Sequence, residues 1–162
     1  MRIFHESDLL VAEAIDAGLL DGLDAPSLAG LVSCFTYEHR SPVPPGEPWF
    51  PSSSIRQRVQ ALDRLAADLN ADEQAAGLAL TRPPETAFFA LAYAWVAGEP
   101  LDEVLEDEDL SGGDFVRNAK LLIDLLGQIA EAATEADTAR TARQAAAAVH
   151  RGVVAASSVD AP

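Results

Sequence analysis

The strongest hydrophobic pattern in this chain lies between residues 109 and 133, in the segment DLSGGDFVRNAKLLIDLLGQIAEAA. Apolar residues recur there at steps of three and four, which predicts an amphipathic helix with one buried face. Ser111 and Asp114 have the spacing of a capping box, in which the serine oxygen accepts from the backbone N–H of residue 114. The predicted buried face consists of Phe115, Ala119, Leu122, Leu126 and Ile129, widened by Val116, Ile123 and Ala130.

The opposite side of this helix carries a narrow polar strip. At about 100° per residue, that strip consists of Arg117, Lys120, Asp124, Gln128 and Glu131. Leu121 lies among them, where a polar residue is expected. Gly127 interrupts the same side at a cost of about 1 kcal/mol relative to alanine, which suggests that another backbone or a ligand comes close there. A charged strip is more often a solvated face, so both interpretations stay open.

Six further stretches have the apolar spacing or the capping residues of helices. They are residues 7–18, 25–40, 55–77, 85–97, 100–110 and 139–157. The predicted caps of the first three are Ser7, Asp24 and the serines at 52–54. Alternating runs of β-branched residues, the mark of strands, are missing from the sequence. Residues 41–54 contain five prolines and predict a stiff, extended loop. We therefore predict an all-α fold, a single bundle of about seven helices in one domain that spans residues 1–162.

Several positions have a predicted burial. The segment 85–97 is apolar nearly all round and should be the most buried helix. Cys34 lies beside an apolar stripe and should be a small buried residue without chemistry. Trp49 and Phe50 either pin the proline-rich loop to the bundle or expose it to a partner. In the last helix the predicted inward positions are Ala142, Ala146, Val149 and Val153.

Charge and cysteine content restrict the class of protein. The chain has 11 bases and 26 acids among 162 residues, a net charge of −15. Such a surface repels phosphate backbones, which argues against an autonomous, electrostatically driven nucleic-acid binder. A single cysteine excludes an intramolecular disulfide and suits a reducing compartment, and no signal peptide or membrane-spanning run is readable. We expect a cytoplasmic protein without membrane contact.

The motifs of common active sites are missing from the sequence. It has no GxxxxGK[ST] loop, no GxGxxG, no HExxH, no CxxC and no GxSxG. His5, His39 and His150 are scattered, with no pair at the spacing of a helical metal site. The acid-rich segment 99–110 has no glycine-bearing calcium-loop pattern. We expect no cofactor, no metal and no active site within this chain.

Three segments resemble a known family in order and spacing. They are IFHESDLLVAEAIDAGLLDGLDAPSLAGLVSCFTYEHR, SGGDFVRNAKLLIDLLGQIAEAA and RGVVAASSV. Together they resemble the C-terminal helical (DSHCT) domain of Ski2-like DEAD/DEAH-box RNA helicases, in particular its HelY-type actinobacterial branch, a relative of Mtr4 and Ski2. The resemblance extends from about residue 3 to residue 159 and includes FALAYAWVAGEPLDEVLEDEDL.

The resemblance implies a helical bundle that packs on two RecA-like motor domains and helps to close an RNA channel. The family's ratchet helix, whose polar face touches the translocating strand, matches residues 112–133. Its acidic residue falls on Asp124, and a further acidic residue falls on Glu38. The arginine that many members carry on this helix falls on Leu121, so Arg117 and Lys120 are the available cationic substitutes.

Two hypotheses follow for the function. In the first, the chain is a non-catalytic part of an ATP-dependent RNA helicase, with the helicase core as its partner in cis or in trans. Single-stranded RNA would then bind in that context alone, because the phosphate loop, the DExH acids and the arginine fingers are missing here. In the second, the chain is a stand-alone protein-interaction module that kept the fold and lost the strand contacts. Leu121 and the net charge of −15 favour the second hypothesis. Arg117, Lys120, Asp124 and the glycine-rich start of the helix favour the first.

Overall fold

The structure is a computed structural model that describes residues 8–39, 42, 44, 46–106, 108 and 110–159, with the backbone alone at 157–159. Within these residues the chain forms eight helices and no strand, which confirms the predicted all-α bundle. The helices are α1 (Asp8–Asp16), α2 (Ala25–Thr36), α3 (Ser53–Ala75), α4 (Phe89–Val96), α5 (Leu101–Val104), α6 (Gly112–Ala132), α7 (Ala136–Val149) and α8 (Gly152–Val159).

Side-chain caps begin three of these helices where the sequence predicts them. Asp24 accepts a hydrogen bond from the Ser27 N–H at the start of α2. Ser52 accepts from the Ile55 N–H at the start of α3, and Ser111 accepts from the Asp114 N–H at the start of α6. Each bond satisfies a backbone donor that the helix leaves without an internal partner. The first helix was predicted to start at Ser7, which lies outside the described residues.

Helix α2 lies at the centre of the bundle and packs against α4, α6 and α7. Ten consecutive residues, from Ser27 to Thr36, are buried. The prediction that the segment 85–97 is the most buried helix is therefore wrong. In α4, four of eight residues are buried and Tyr93 is half-buried. A helix that is apolar nearly all round is therefore not always the most buried one.

Small residues allow this close packing around α2. Gly30 lies against the face of Phe89 in α4, and a Cβ added at Gly30 would lie 2.8 Å from the ring. The buried Ser33 hydroxyl donates to the Gly30 carbonyl at 2.6 Å, so its burial leaves no unsatisfied group. Cys34 is buried beside them, as predicted.

Aromatic rings connect α4 to its neighbours. Phe115 of α6 lies between two rings, with centroids 5.7 Å from Phe88 and 5.2 Å from Trp95. Phe50 of the proline-rich loop meets Phe89 edge to face at 5.1 Å and pins that loop to the bundle. Trp49 contacts Tyr93 but stays half exposed. These contacts fix how α6 is rotated, because Phe115 must point inward between Phe88 and Trp95.

Several predicted helix bounds differ from the structure. The second helix ends at Thr36 rather than near residue 40, which lies outside the described residues. The segment 85–88 is not helical, because the Glu85 N–H donates to the Cys34 carbonyl of α2 and the Glu85 carboxylate accepts from the Ala87 N–H. The acidic segment 100–110 contains one short helix, α5.

The predicted last helix, 139–157, is two helices. It breaks after Val149, and Gly152 has a left-handed φ of +54°. Ala142 and Val149 face inward as predicted, and Ala146 is half-buried. Val153 was predicted to face inward and is instead 40% exposed, whereas Val154 is fully buried. The break shifts the helical phase by about one residue, so the two valines exchange roles.

The glycines of α2 and α6 give a matched test of the packing. Gly30→Ala should lower the free energy of unfolding by about 1–3 kcal/mol, because the new methyl overlaps the Phe89 ring. Gly127→Ala should raise it by about 0.4–1 kcal/mol, because Gly127 is an exposed interior helix position with no neighbour within 4 Å of an added Cβ. Urea unfolding of both variants measures the difference, and equal effects would contradict the packing described for α2.

Candidate nucleic-acid interface

Helix α6 separates into a buried stripe and an exposed strip, as its sequence predicts, except that Leu125 joins the buried residues and Gln128 is half-buried. The buried residues are Phe115, Ala119, Leu122, Leu125, Leu126, Ile129 and Ala130. The exposed strip runs along the whole helix and consists of Gly113, Arg117, Lys120, Leu121, Asp124, Gly127 and Glu131. The side chain of Leu121 is 47% exposed, so this leucine stands in solvent between polar neighbours. The strip is therefore available to a partner.

Arg117 lies in the second turn of α6. Its Nη2 lies 2.8 Å from Oδ1 of Asp114, one turn earlier, and both side chains are largely exposed. In a complete capping box, the Asp114 carboxylate would also accept from the backbone N–H of Ser111. Here that carboxylate pairs with Arg117 instead. An exposed pair at this spacing contributes little to stability, so the guanidinium can exchange this partner for another anion at small cost.

Arg117 and Lys120 line a groove between α6 and α8. The groove is open to solvent, has a volume of about 390 Å³, and is lined by Gly112, Gly113, Val116, Arg117, Lys120 and Val153. We call it the α6–α8 groove. A Cβ added at Gly112 would meet no atom within 4 Å, and one at Gly113 would meet only the Ser111 hydroxyl at 4.0 Å. The two glycines therefore leave the backbone accessible at this end of the helix.

Asp124 lies one turn beyond the groove. Its Oδ2 accepts a hydrogen bond from Nε2 of Gln128 at 2.9 Å, and this pair is exposed. Arg117, Lys120 and Asp124 thus share one face of α6 on successive turns, with Leu121 between the last two. The structure brings Arg117 and Lys120 together in the groove and places Asp124 beside it.

Glu38 belongs to a different contact. It follows the end of α2, and its Oε2 lies 3.6 Å from Nη1 of Arg82. Arg82 also donates to the Phe35 carbonyl at 2.7 Å, which ties the segment before α4 to the end of α2. The described residues that line the α6–α8 groove do not include Glu38. The structure therefore does not join Glu38 to the two cations in that groove.

The predicted last helix places Val153 in the core, but the structure places it in the groove. The residue that could have indicated this is Gly152, which the prediction includes in one continuous helix. A glycine at that position also permits the left-handed turn that ends one helix and starts another. With this turn in place, helical spacing puts Val154 inside and Val153 outside.

Other reactive groups lie away from the groove. Burial raises the pKa of the Cys34 thiol well above its usual range, and the negative charges of Asp63 and Glu85 act in the same direction. A thiol kept protonated in this way is a poor nucleophile. Among the described residues, no three His, Cys, Asp or Glu side chains form a group that could hold a metal ion. None of the described helices is long and apolar enough to cross a bilayer.

Comparison with known proteins defines the class of this domain. Residues 1–157 match the family described as the DSHCT (NUC185) domain. The chain therefore belongs to the DSHCT family, which confirms the resemblance found in its sequence.

Its relatives are helicases. The chain is similar to the "Probable helicase HelY" of Mycobacterium leprae, with 43% identity over 95% of this chain and 18% of the relative. The "Probable helicase HelY" of Mycobacterium tuberculosis H37Rv is 38% identical over the same shares. Human "Exosome RNA helicase MTR4" is 26% identical over 82% of this chain and 13% of the relative. The chain thus spans less than a fifth of the length of each of these proteins, and its family is that of a helicase domain.

The Arg117–Asp114 pair has a matched counterpart in α7. Arg140 pairs with Asp137 at the same three-residue spacing and with a similar side-chain exposure, 69% against 65% for Arg117. Arg117→Ala and Arg140→Ala should each change the free energy of unfolding by less than about 0.5 kcal/mol, because exposed pairs on a helix contribute little. Thermal or urea unfolding checks both variants. A loss above about 1 kcal/mol at Arg117 alone would mean that this arginine has a structural role.

Proposed function

We propose that this chain is a non-catalytic helical domain of an ATP-dependent Ski2-like RNA helicase. In this proposal the domain packs on the RecA-like motor domains, supplied in cis or in trans, and guides single-stranded RNA along α6. The observation that carries it is the α6–α8 groove, which presents two cations and accessible backbone on a helix whose other face is anchored in the core. The family supports a place in a helicase; the strand contacts are our inference.

The charge of the chain agrees with a guide that depends on a motor. A net charge of −15 opposes the approach of a phosphate backbone from a distance. Within about 8 Å, roughly the Debye length at physiological salt, individual contacts matter more than the net charge. The motor domains would therefore deliver the strand, and α6 would contact it locally. We expect the isolated chain to bind RNA weakly and to hydrolyse no ATP.

Each side chain on the strip has a contact to offer a strand. Arg117 can stack on a base or pair with a phosphate, and Lys120 can pair with a phosphate. Asp124 can accept from an exocyclic amine of a base. Leu121 offers an apolar contact where the family's arginine would stand. Glu38, near Arg82, would flank the strand at a second place rather than in the groove.

Removal of Arg117 tests the proposal. In the full helicase that contains this domain, Arg117→Ala should slow unwinding roughly 5- to 100-fold, because a base contact of this kind is worth about 1–3 kcal/mol. Arg140→Ala, with a similar ion pair on α7, should leave unwinding unchanged. The measurement is the unwinding rate of a fluorescent duplex with a single-stranded tail. Equal rates for both variants would reject strand guidance by α6.

Leu121 allows a gain-of-function test. Leu121→Arg restores the cation that the family pattern carries at this position and should increase the affinity of the same helicase for single-stranded RNA. Leu121→Gln, polar and uncharged, is the control for the loss of the leucine. Fluorescence anisotropy at two salt concentrations gives the affinity and its salt dependence, which should steepen with the arginine. No gain over glutamine would argue that the strand does not pass residue 121.

A second candidate function is a protein-interaction module, and a different surface favours it. The loop between α3 and α4 exposes Leu78 and Leu80 at 63% and 58%. The loop is held in place, because the Glu73 carboxylate accepts from both the N–H and the hydroxyl of Thr81 at 2.8 Å. Two leucines on an anchored loop suit a contact with an apolar protein surface.

The leucines can be tested separately from the strip. Changing Leu78 and Leu80 to serine together should weaken association with the separately expressed motor domains about 10-fold or more, since each buried leucine contributes about 1.5–3 kcal/mol. Leu9→Ser, at another exposed leucine in α1, is the control. Isothermal titration calorimetry measures the affinity. A normal affinity for the double variant would remove this loop as the contact surface.

A further inference from the structure

The break between α7 and α8 is held by Arg151 and Trp95. The Arg151 guanidinium lies over the Trp95 ring, with Cζ 3.6 Å from the centroid. Its Nη2 donates to the carbonyl of Trp95 near the end of α4 at 2.6 Å and to that of Glu99, between α4 and α5, at 2.7 Å. Trp95 in return donates from Nε1 to the Val149 carbonyl, the last residue of α7, at 2.8 Å. We call these contacts the Trp95–Arg151 clasp.

The clasp sets the direction in which the chain leaves α7. Gly152 follows at once with a φ of +54°, and a Cβ at this residue would lie 3.5 Å from the Trp95 ring. From there α8 packs against α6. Val154 is buried completely, which fixes how α8 is rotated about its own axis. Val153 must then face outward, into the α6–α8 groove.

Among the described residues that line the groove, α8 supplies Val153 and α6 supplies the other five. The surface is concave because the clasp places α8 beside α6, where α8 forms the second wall of the groove. Val153 and the half-buried Val116 give it apolar surface, and Arg117 and Lys120 give it positive charge. Apolar surface next to cations matches a nucleotide unit, in which a flat, weakly hydrated base is joined to an anionic phosphate. A phosphate alone would gain nothing from the two valines.

We propose that Val153 and Val116 form a subsite for a nucleobase, and that Arg151 is a positioning residue which holds Val153 there. This inference rests on the proposed function and adds a residue outside α6 to it. The cations take the phosphate, and the valine methyl groups pack against the face of the base. Apolar contact with a base face does not distinguish one base from another, because the donors and acceptors of a base lie on its edges. The subsite would therefore accept any base, as a guide for a moving strand requires.

Two strands of equal charge test the subsite. One is a single-stranded RNA of about 12 nucleotides, within the usual range of site sizes, and the other is an abasic strand with the same number of phosphates. In the full helicase, without ATP hydrolysis, Val153→Ser should weaken binding of the base-bearing strand roughly 3- to 10-fold, less than the loss of an aromatic stacking partner. Binding of the abasic strand should not change. Val153→Phe should restore or increase the preference for the base-bearing strand.

The ratio of the affinities for the base-bearing strand and the abasic strand also tests Arg151. Arg151→Ala removes the clasp and should reduce the preference for the base-bearing strand as Val153→Ser does, while affinity for the abasic strand stays the same. A purely structural loss would weaken both strands together. Leu9→Ser controls for the removal of an exposed apolar side chain, and Val153→Ser should fold normally because residue 153 is exposed.

Failure of the subsite and failure of the proposed function are distinguishable. If Arg117→Ala weakens both strands and neither Val153→Ser nor Arg151→Ala changes the ratio of affinities, the subsite is wrong and strand guidance stands. If Arg117→Ala weakens neither strand, strand guidance by this groove is wrong, and the subsite fails with it. A lower ratio for Val153→Ser and Arg151→Ala, with unchanged affinity for the abasic strand, supports the base subsite.

Discussion

The close contact between Gly30 and the Phe89 ring is the constraint on which the rest of the bundle depends. With no side chain at residue 30, α4 can approach α2 closely enough for the ring to lie on the helix backbone. That approach places the neighbouring Phe88 beside Phe115, and so fixes the rotation of α6. The orientation of the polar strip follows, because the strip lies on the side of α6 opposite its buried residues. A change at Gly30 should therefore disturb α6 through Phe89 and Phe88.

Trp95 connects this core to the groove. Its ring meets Phe115 of α6 edge to face, carries the Arg151 guanidinium on its surface, and donates its N–H to the end of α7. One buried indole thus holds three elements: the helix that bears the strip, the end of α7 and the start of α8. A large aromatic residue suits this role, because it combines extensive apolar contact with one polar atom that has a defined direction. The geometry of the groove is in this sense a consequence of core packing.

The acidic character of the chain is compatible with a contact to RNA, because the two interactions act over different distances. Long-range repulsion by a net charge of −15 governs whether a free strand approaches the isolated domain. In the proposed function, short-range contacts at Arg117 and Lys120 would act once a motor has brought the strand to α6. This division between long-range repulsion and short-range contact gives a physical reason for a guide domain to bind RNA weakly when alone. A domain that bound RNA tightly would slow the movement of the strand. The division also separates this proposal from the interaction-module hypothesis, which needs Leu78 and Leu80 rather than the strip.

Local chemistry explains which features were predictable from the sequence and which were not. The caps at Asp24 and Ser111, the stripe and strip of α6 and the burial of Cys34 depend on neighbours a few residues away, so periodicity and spacing were sufficient. The burial of α2, the pairing of Glu38 with Arg82 and the stacking of Arg151 on Trp95 join residues that are 44 or more positions apart or depend on three helices meeting. The exchange of Val153 and Val154 shows the boundary most clearly. A glycine is compatible with both a continuous helix and a break. The Trp95 ring, which packs from a distant part of the chain and carries the Arg151 side chain, selects the break. Because a shift of one residue reverses which valine faces solvent, the wall of the groove was decided by tertiary contacts.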